Sequence, residues 1–237
     1  MDPSDINASV SKVTGYPEVR RLFFDGMTLL VGGFGGVGSP PGLIDALIDS
    51  GVKEVKVVCN DAGAPALGIG KFIVQGRAAS LTASHIGLNP VAGELMNSGK
   101  MKVEFSPQGI LVERVRSGGA GLHGFLTEVG LGTPLAEGKP LVTVDGREYL
   151  YEAPIRGDVG IILAKKGDAF GNLIFDKTAR NTNPYMAMAA TTCIAEVEEI
   201  VPVGSLDPQE VMLPGVFVHH IVQGVGYNWK WPWQTQG

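Results

Sequence analysis

The stretch Leu29–Pro41, LLVGGFGGVGSPP, decides how this chain is read. Leu29, Leu30 and Val31 form an apolar run of the kind that makes a buried strand. Five glycines fill the next seven positions, at Gly32, Gly33, Gly35, Gly36 and Gly38, and a helix is predicted from Pro41. Without Cβ atoms the backbone can approach a ligand closely, and successive N–H groups can turn toward one spot. A tight connection without a ligand is the bland alternative, but turns seldom need so many glycines. Formally, Gly33-Phe-Gly35-Gly-Val-Gly38 matches the dinucleotide pattern G-x-G-x-x-G, with Asp61 downstream as a ribose-binding acid. The proline pair argues against that reading. In the fingerprint the third glycine lies in the opening turn of the helix. Here Pro40 and Pro41 push Ser39 and Pro40 out of the α region, so the helix starts no earlier than about Pro41. The loop is too long for a pyrophosphate turn and serves another ligand.

Downstream, Leu43, Ile44, Leu47 and Ile48 share one face of a helix over Pro41–Ser50, which Gly51 stops. Glu54–Asn60 reads as a strand entering a covered sheet, Gly68–Gly76 as a short helix and Ala79–Ser84 as a strand. Pro90–Asn97 is a helix ending at Gly99, and Lys102–Phe105 a strand. The opening logic then returns. Ser106-Pro-Gln-Gly109 echoes Ser39-Pro-Pro-Gly42: a strand end, a serine placed to cap, proline at the first turn, then a helix. Ile110, Leu111 and Val115 face inward, Glu113, Arg114 and Arg116 outward, and the helix stops in Gly118-Gly-Ala-Gly121. The N–H groups of Gln108 and Gly109 fall in the first turn, where no carbonyl within the helix accepts them. They act as partial positive charges off the strand end, and the Gln108 amide adds a donor. An oxyanion needs such a cluster, although an ordinary helix start would look the same by spacing.

Leu141–Val144 and Glu148–Tyr151 flank Asp145-Gly146, a strong hairpin signal that breaks the alternation of strand and helix. Val159–Ala164 and Leu173–Phe175 are strands, Tyr185–Thr191 a helix, and Ala195–Val201 with Val216–Val222 close the sheet. The expected fold is α/β: a single open, mostly parallel sheet with helices on both faces and a small antiparallel hairpin or flap. One domain spans residues 1–226, and residues 227–237 form a tail holding Trp229, Trp231 and Trp233. Left in water those rings would make a conspicuous apolar patch, so the tail is expected to dock on the body or on a partner.

The 237 residues suit one large domain, and their 34 glycines are about twice the usual ~7% share, as many tight βα turns would require. A net charge of −5 without a clustered basic face argues against a nucleic-acid partner. Cys59 and Cys193 lie far apart in apolar surroundings and read as inert packing thiols in a reducing compartment. No metal spacing occurs, no apolar run approaches the ~18 residues of a membrane span, and Met1–Lys12 lacks the layout of a signal peptide. A soluble cytoplasmic protein is expected. His85, His123, His219 and His220 show no partner in sequence, and Glu113 is expected to pair with a neighbouring arginine. The chain thus offers a site that stabilises charge, with no group to attack.

These residues carry a resemblance. Asp25-Gly-Met-Thr-Leu-Leu-Val-Gly-Gly-Phe34, with Gly38 and Pro40, is similar to the signature of alpha subunits of family I coenzyme A transferases. The likeness continues through Cys59-Asn-Asp-Ala-Gly63, Ser84-His-Ile-Gly87, Ser106-Pro-Gln-Gly109 and Glu113-Arg-Val-Arg-Ser-Gly-Gly-Ala-Gly121. Gly167-Asp168, Gly171-Asn172, Ala179-Arg-Asn181 and Pro214-Gly-Val complete an ordered set over about residues 20–224. Ala83-Ser-His-Ile-Gly-Leu-Asn-Pro90 most resembles the acetate/butyrate–acetoacetate branch. Gly38-Ser-Pro-Pro41, and Thr127-Glu-Val-Gly130 where Thr-Pro-Thr-Gly is common, depart from the pattern in ways that bear on substrate size.

The resemblance implies CoA as a substrate, no tightly bound cofactor, and activity only with a beta subunit, in an α2β2 hetero-oligomer. It implies ping-pong chemistry through a glutamate of a Ser-Glu-Asn-Gly motif, which this chain lacks and the beta chain would supply. It assigns oxyanion stabilisation to Gln108 and Gly109, and CoA contact to Gly32, Gly33, Phe34, Gly35, Gly36, Gly38, Gly118, Gly119 and Gly121. Two alternatives stand beside it: a nucleotide-binding oxidoreductase using the glycine loop, and a non-catalytic sensor of a sugar phosphate or acyl ligand.

Overall fold

The computed structural model describes residues 11–229. Strand β1 (Thr28–Val31) lies inside the sheet, between β2 (Val55–Cys59) and β8 (Gly157–Asp168), and is parallel to both. From β1 the chain steps outward through β2, β3 (Ala78–Ala83) and β4 (Lys102–Phe105) to one edge. It then crosses to the other side of β1, laying down β8, β10 (Ala190–Val201) and β11 (His220–Gln223), while the short β9 (Leu173–Ile174) runs antiparallel on β8. The result is an eight-stranded, mostly parallel sheet whose winding reverses between β1 and β8. In open α/β sheets, ligands bind outside the carboxyl ends of the strands at such a reversal. The glycine loop leaves β1 at this point.

Alternation along each strand explains why both faces are covered. Leu29 and Val31 pack into one core with Val57, Cys59 and Ile161, under α1 (Tyr16–Arg20), α2 (Pro41–Asp49), α3 (Gly70–Ile73) and α4 (Pro90–Asn97). Leu30, Val58, Ile162, Cys193 and Ala195 point the other way, under α5 (Gln108–Gly119) and α6 (Asn183–Ala189). Near-continuous apolar strands are what burial on two faces requires. The excursion between α5 and β8 forms a second sheet, β5 (Phe125–Thr127), β7 (Arg147–Glu152) and β6 (Leu141–Val144), all antiparallel. Asp145 (φ 50°) and Gly146 (φ 76°) make its turn, as an Asp-Gly pair does when both central residues need positive φ.

Several local expectations are corrected. Neither serine caps a helix. The caps of α2 and α5 are Pro40 and Pro107, and no side chain bonds into either first turn from those positions. Helix α6 begins at Asn183 and yields to β10 already at Ala190, because pairing with β8 from Gly157 onward draws those residues into the sheet. Gly215–Phe217 is a 3₁₀ turn, so β11 starts only at His220. A side chain at Gly215 would lie 2.3 Å from the Phe170 carbonyl, a close packing that an extended strand there would not make. Strand β5 had no signal of its own; it forms by pairing with β7. Arg114, expected to face outward, turns back to the Ala153 carbonyl (3.0 Å) and Glu104 (2.6 Å), tying α5 to β4 and to the segment after β7.

Trp231 and Trp233 lie outside the described residues. Before them the chain folds back over α2 and α3: Asn228 bonds Asp45 and approaches Lys71, and Trp229 meets Tyr227 edge to face at 5.4 Å. Beneath this segment sits Glu196 of β10, fully buried, accepting the N–H of Leu43 in the first turn of α2 (2.9 Å) and of Val225 (3.5 Å). Burial pushes its carboxyl up to about 7; the backbone donors Leu43, Val225 and Gly42 oppose the shift, and Asp45 adds to it.

Because the folded value lies above the ordinary 4.5, this group favours the folded state at acid pH, and the contribution is lost as pH rises through about 7. Relative to Glu196→Gln, the wild-type unfolding free energy is therefore expected to fall between about pH 5 and about pH 8, by on the order of 3 kcal/mol. Urea unfolding of both proteins across that range checks it; a pH-independent difference would contradict it.

Candidate functional site

Gly32 continues β1 by one bond, donating its N–H to the Ile161 carbonyl (2.9 Å). A Cβ there would stand 1.9 Å from Asn183 Oδ1, so the position must be bare. The chain then makes a hairpin. Phe34 and Val37 exchange N–H···O bonds of 2.9 and 3.0 Å across Gly35 (φ 56°) and Gly36 (φ 92°), a mirror-image turn that side chains resist. Ser39 N–H closes on the Gly36 carbonyl at 3.2 Å. The loop's amides are therefore mostly spent within the protein. Instead of N–H groups converging on one spot, it presents a stiff hairpin with Phe34 47% exposed beside the turn.

Braces hold this hairpin from both flanks. On one, Asp61, only 6% exposed, accepts the N–H of Gly35 (2.7 Å), the Asn60 amide (2.8 Å) and the N–H of Gly63 (2.9 Å). These three bonds commit it within the protein, in agreement with the case against a dinucleotide loop. On the other flank Asn181 Nδ2 donates to the Val37 carbonyl (2.9 Å) and Asn183 Nδ2 to that of Gly38 (3.1 Å). Asn181 sits at φ 21°, ψ −117°, a sparsely populated conformation that only surrounding contacts can maintain. Between the hairpin, Asn60, Asp61 and Gly68 remains a cavity of about 10 Å³, room for one water-sized group.

One residue beyond the last residue of β1, β2, β3 and β4 stand Gly32, Asn60, Ser84 and Ser106 in a row along the carboxyl edge. Ser84 N–H donates to the Asn60 carbonyl (2.9 Å) and Ser106 N–H to that of Ala83 (3.1 Å). Asn60 and Ser106 are each 1% exposed, yet Asn60 Oδ1 and Ser106 Oγ have no partner among the described residues. An unmet buried polar atom costs about 1–3 kcal/mol. Two at the mouth of a sheet, beside helix α5, point to a ligand's polar group.

Helix α5 starts immediately after Ser106. The N–H groups of Gln108 and Gly109 have no acceptor among the described residues, both residues are exposed, and a Cβ on Gly109 would meet nothing within 4 Å. The glycine hairpin and this helix start thus share one edge, three strand spacings or about 14 Å apart. Gly118, Gly119 and Gly121 are not brought there. They close the far end of the 12-residue helix, about 18 Å from Gln108. A Cβ at Gly118 would lie 2.0 Å from the Ile155 carbonyl and one at Gly119 2.7 Å from Met188 Cβ, so these glycines let chain segments pack.

Among the described residues the cysteines offer no nucleophile here, and the Ser84 hydroxyl at this edge is spent on the Asn60 carbonyl (2.6 Å). Cys59 and Cys193 are buried, and burial pushes both thiols up. His219 Nδ1 accepts the Cys193 N–H (3.0 Å), and Glu113 pairs with Arg116 (2.8 Å), as its spacing predicts. Asn60 and the Ser106 hydroxyl were missed as site residues. Their signal was positional, a polar residue just past each strand, and Ser106 was read instead as a helix cap.

The family model for coenzyme A transferase matches residues 18–224. A probable coenzyme A transferase subunit alpha of Bacillus subtilis is 52% identical over 227 residues, covering 95% of this chain and 97% of the relative. The acetate CoA-transferase subunit alpha of Escherichia coli is 44% identical over 212 residues, covering 90% and 96%. Among solved structures, an acyl-CoA transferase of Escherichia coli O157:H7, in a thioester complex with CoA, superposes with a TM-score of 0.82 at 22% identity. That likeness supports the fold; it covers 91% of this chain but 48%, about half, of the longer polypeptide. No helix among the described residues is long and apolar enough to cross a membrane. A glycine hairpin at the sheet reversal, open helix amides on the same edge and a match along nearly the full length agree: this chain belongs to the coenzyme A transferase family.

Proposed function

We propose that the chain is the alpha half of a two-subunit enzyme that moves CoA from a short-chain acyl-CoA to a free carboxylic acid of the acetate, butyrate or acetoacetate class. The observation that carries this reading is an edge with open donors and unmet polar atoms but no group of its own to attack. The missing nucleophile is a glutamate of a beta subunit. Phe34, Leu88 and Phe105, 47, 57 and 41% exposed, stand in the loops or at the end of β1, β3 and β4, and give that subunit an apolar surface to cover.

The chemistry then runs through covalent intermediates. The partner carboxylate attacks the thioester carbonyl, and the tetrahedral intermediate expels CoA thiolate to leave an acyl–glutamyl anhydride. The thiolate attacks the glutamyl carbonyl, releasing the first acid and forming a glutamyl-CoA thioester. The second acid repeats these steps in reverse and leaves as the new acyl-CoA. Each tetrahedral species places a negative charge on one oxygen. Gln108 and Gly109 supply donors for it at the positive end of α5, in a place that docking of the beta subunit dries. The anhydride demands that dryness, because water would hydrolyse it.

Three outcomes are expected of the reconstituted complex. Transfer between acetyl-CoA and butyrate appears only when both chains are present; a fully active lone chain would defeat the reading. Gln108→Ala lowers kcat about 10²–10³-fold if the side chain donates and little if the backbone does, whereas Gln108→Pro, which removes the N–H, is severe in either case. Near-normal turnover by both assembled variants would remove Gln108 from the oxyanion role. Gly109→Ala, whose methyl group enters open space, is expected to leave the melting temperature in place and raise KM for acyl-CoA. Calorimetry and initial rates separate these effects.

A further inference from the structure

We infer that Asp61 is a positioning residue for CoA transfer, acting through the glycine hairpin and the Asn60 amide; this rests on the transferase reading above. Two hairpins stand at neighbouring strand ends. The first is Phe34–Val37; the second is Ala64–Leu67, where Leu67 N–H closes on the Ala64 carbonyl at 2.9 Å. The Asp61 carboxylate bonds Gly35 in the first hairpin and Gly63 at the entrance to the second, through different oxygens, and so sets their relative position. Its third donor is the Asn60 side chain. Both Asp61 oxygens act as acceptors, so the Asn60 amide turns its nitrogen toward Asp61 and its oxygen away. That oxygen is a buried acceptor without a partner among the described residues.

The polarity of the Asn60 amide identifies the half of the substrate it serves. An oxygen acceptor repels an ionised acid, which carries only acceptors, and suits an N–H donor. The acyl-CoA carries such donors in the amides of its pantetheine arm, and acetate or butyrate carries none. Asp61 therefore acts on the CoA side of the reaction. In ping-pong kinetics, kcat/KM for acyl-CoA begins from free enzyme and includes CoA recognition. By contrast, kcat/KM for the acid begins from enzyme already carrying CoA, where the same contact is present in ground and transition states and cancels.

The test uses the complex of this chain with its beta subunit. Asp61→Asn keeps the shape but must turn an N–H toward one of three existing donors; Asn60→Ala removes the presented oxygen together with the amide donor to Asp61, and leaves Asp61 its bonds to both hairpins. Each variant is expected to lower kcat/KM for acetyl-CoA about tenfold or more, while kcat/KM for butyrate changes less than about threefold. The double variant is expected to be no worse than the weaker single one, since both act in one chain of contacts. Amide exchange in residues 33–39 should speed up in Asp61→Asn and not in Asn60→Ala. Equal losses in both kcat/KM values would show a structural role only and overturn the inference, as would additive effects or an unchanged Asn60→Ala enzyme. Should Asp61→Asn fail to assemble, Asn60→Ala alone decides. An inactive wild-type complex would instead overturn the transferase reading, and this inference with it.

Discussion

Burial of the sheet on both faces confines the chemistry of this protein to one edge. With one core under α1 to α4 and another under α5 and α6, the central strands β1, β2, β8 and β10 are covered on both faces. Only where they end do backbone amides, carbonyls and short polar side chains meet the outside, and each must find a partner or leave an unmet donor or acceptor. The chain meets most of these demands loop to loop. The β1 hairpin is held by Asp61 and by Asn181 with Asn183, and the ends of β2, β3 and β4 are tied through Asn60, Ser84 and Ser106. Among the groups that stay unmet are two amides at the start of α5, one amide oxygen and one hydroxyl.

The glycine loop after β1 and the start of α5 contribute different things. The loop after β1 needs its glycines to fold tightly and to clear Asn183, so its contribution is shape and rigidity. The start of α5 contributes charge, because Pro107 holds the cap position without a side-chain acceptor and leaves the first N–H groups open. A stiff wall and an electropositive end, about 14 Å apart along one edge, fit an extended substrate better than a compact one. Neither supplies an attacking group, which is why a site of this design needs a second polypeptide.

Glu196 shows the same economy away from that edge. A carboxylate reaching from β10 to the first turn of α2 satisfies backbone donors of a helix and of the returning C-terminal segment together. Its burial is tolerated because it has these partners, and its elevated proton affinity is the consequence.

Features fixed by near neighbours were legible in the residues alone. Apolar runs placed the strands, the proline pairs placed the helix starts, Asp145-Gly146 placed the hairpin, and Ser106-Pro-Gln-Gly109 marked the open amides. Each of these rests on backbone conformations and bonds spanning a few residues, so composition and spacing determine them. Contacts across long separations were decided by tertiary structure. Spacing does not show that Gly35, 26 positions away, bonds the Asp61 carboxylate. The 12-residue length of α5 sets Gly118 and Gly119 at its far end from Gln108. Asn60 and Ser106 became a site only when strand register set them in one row. Side-chain chemistry names what a group can do, but whether its bonds are already taken depends on which distant backbone the fold brings beside it.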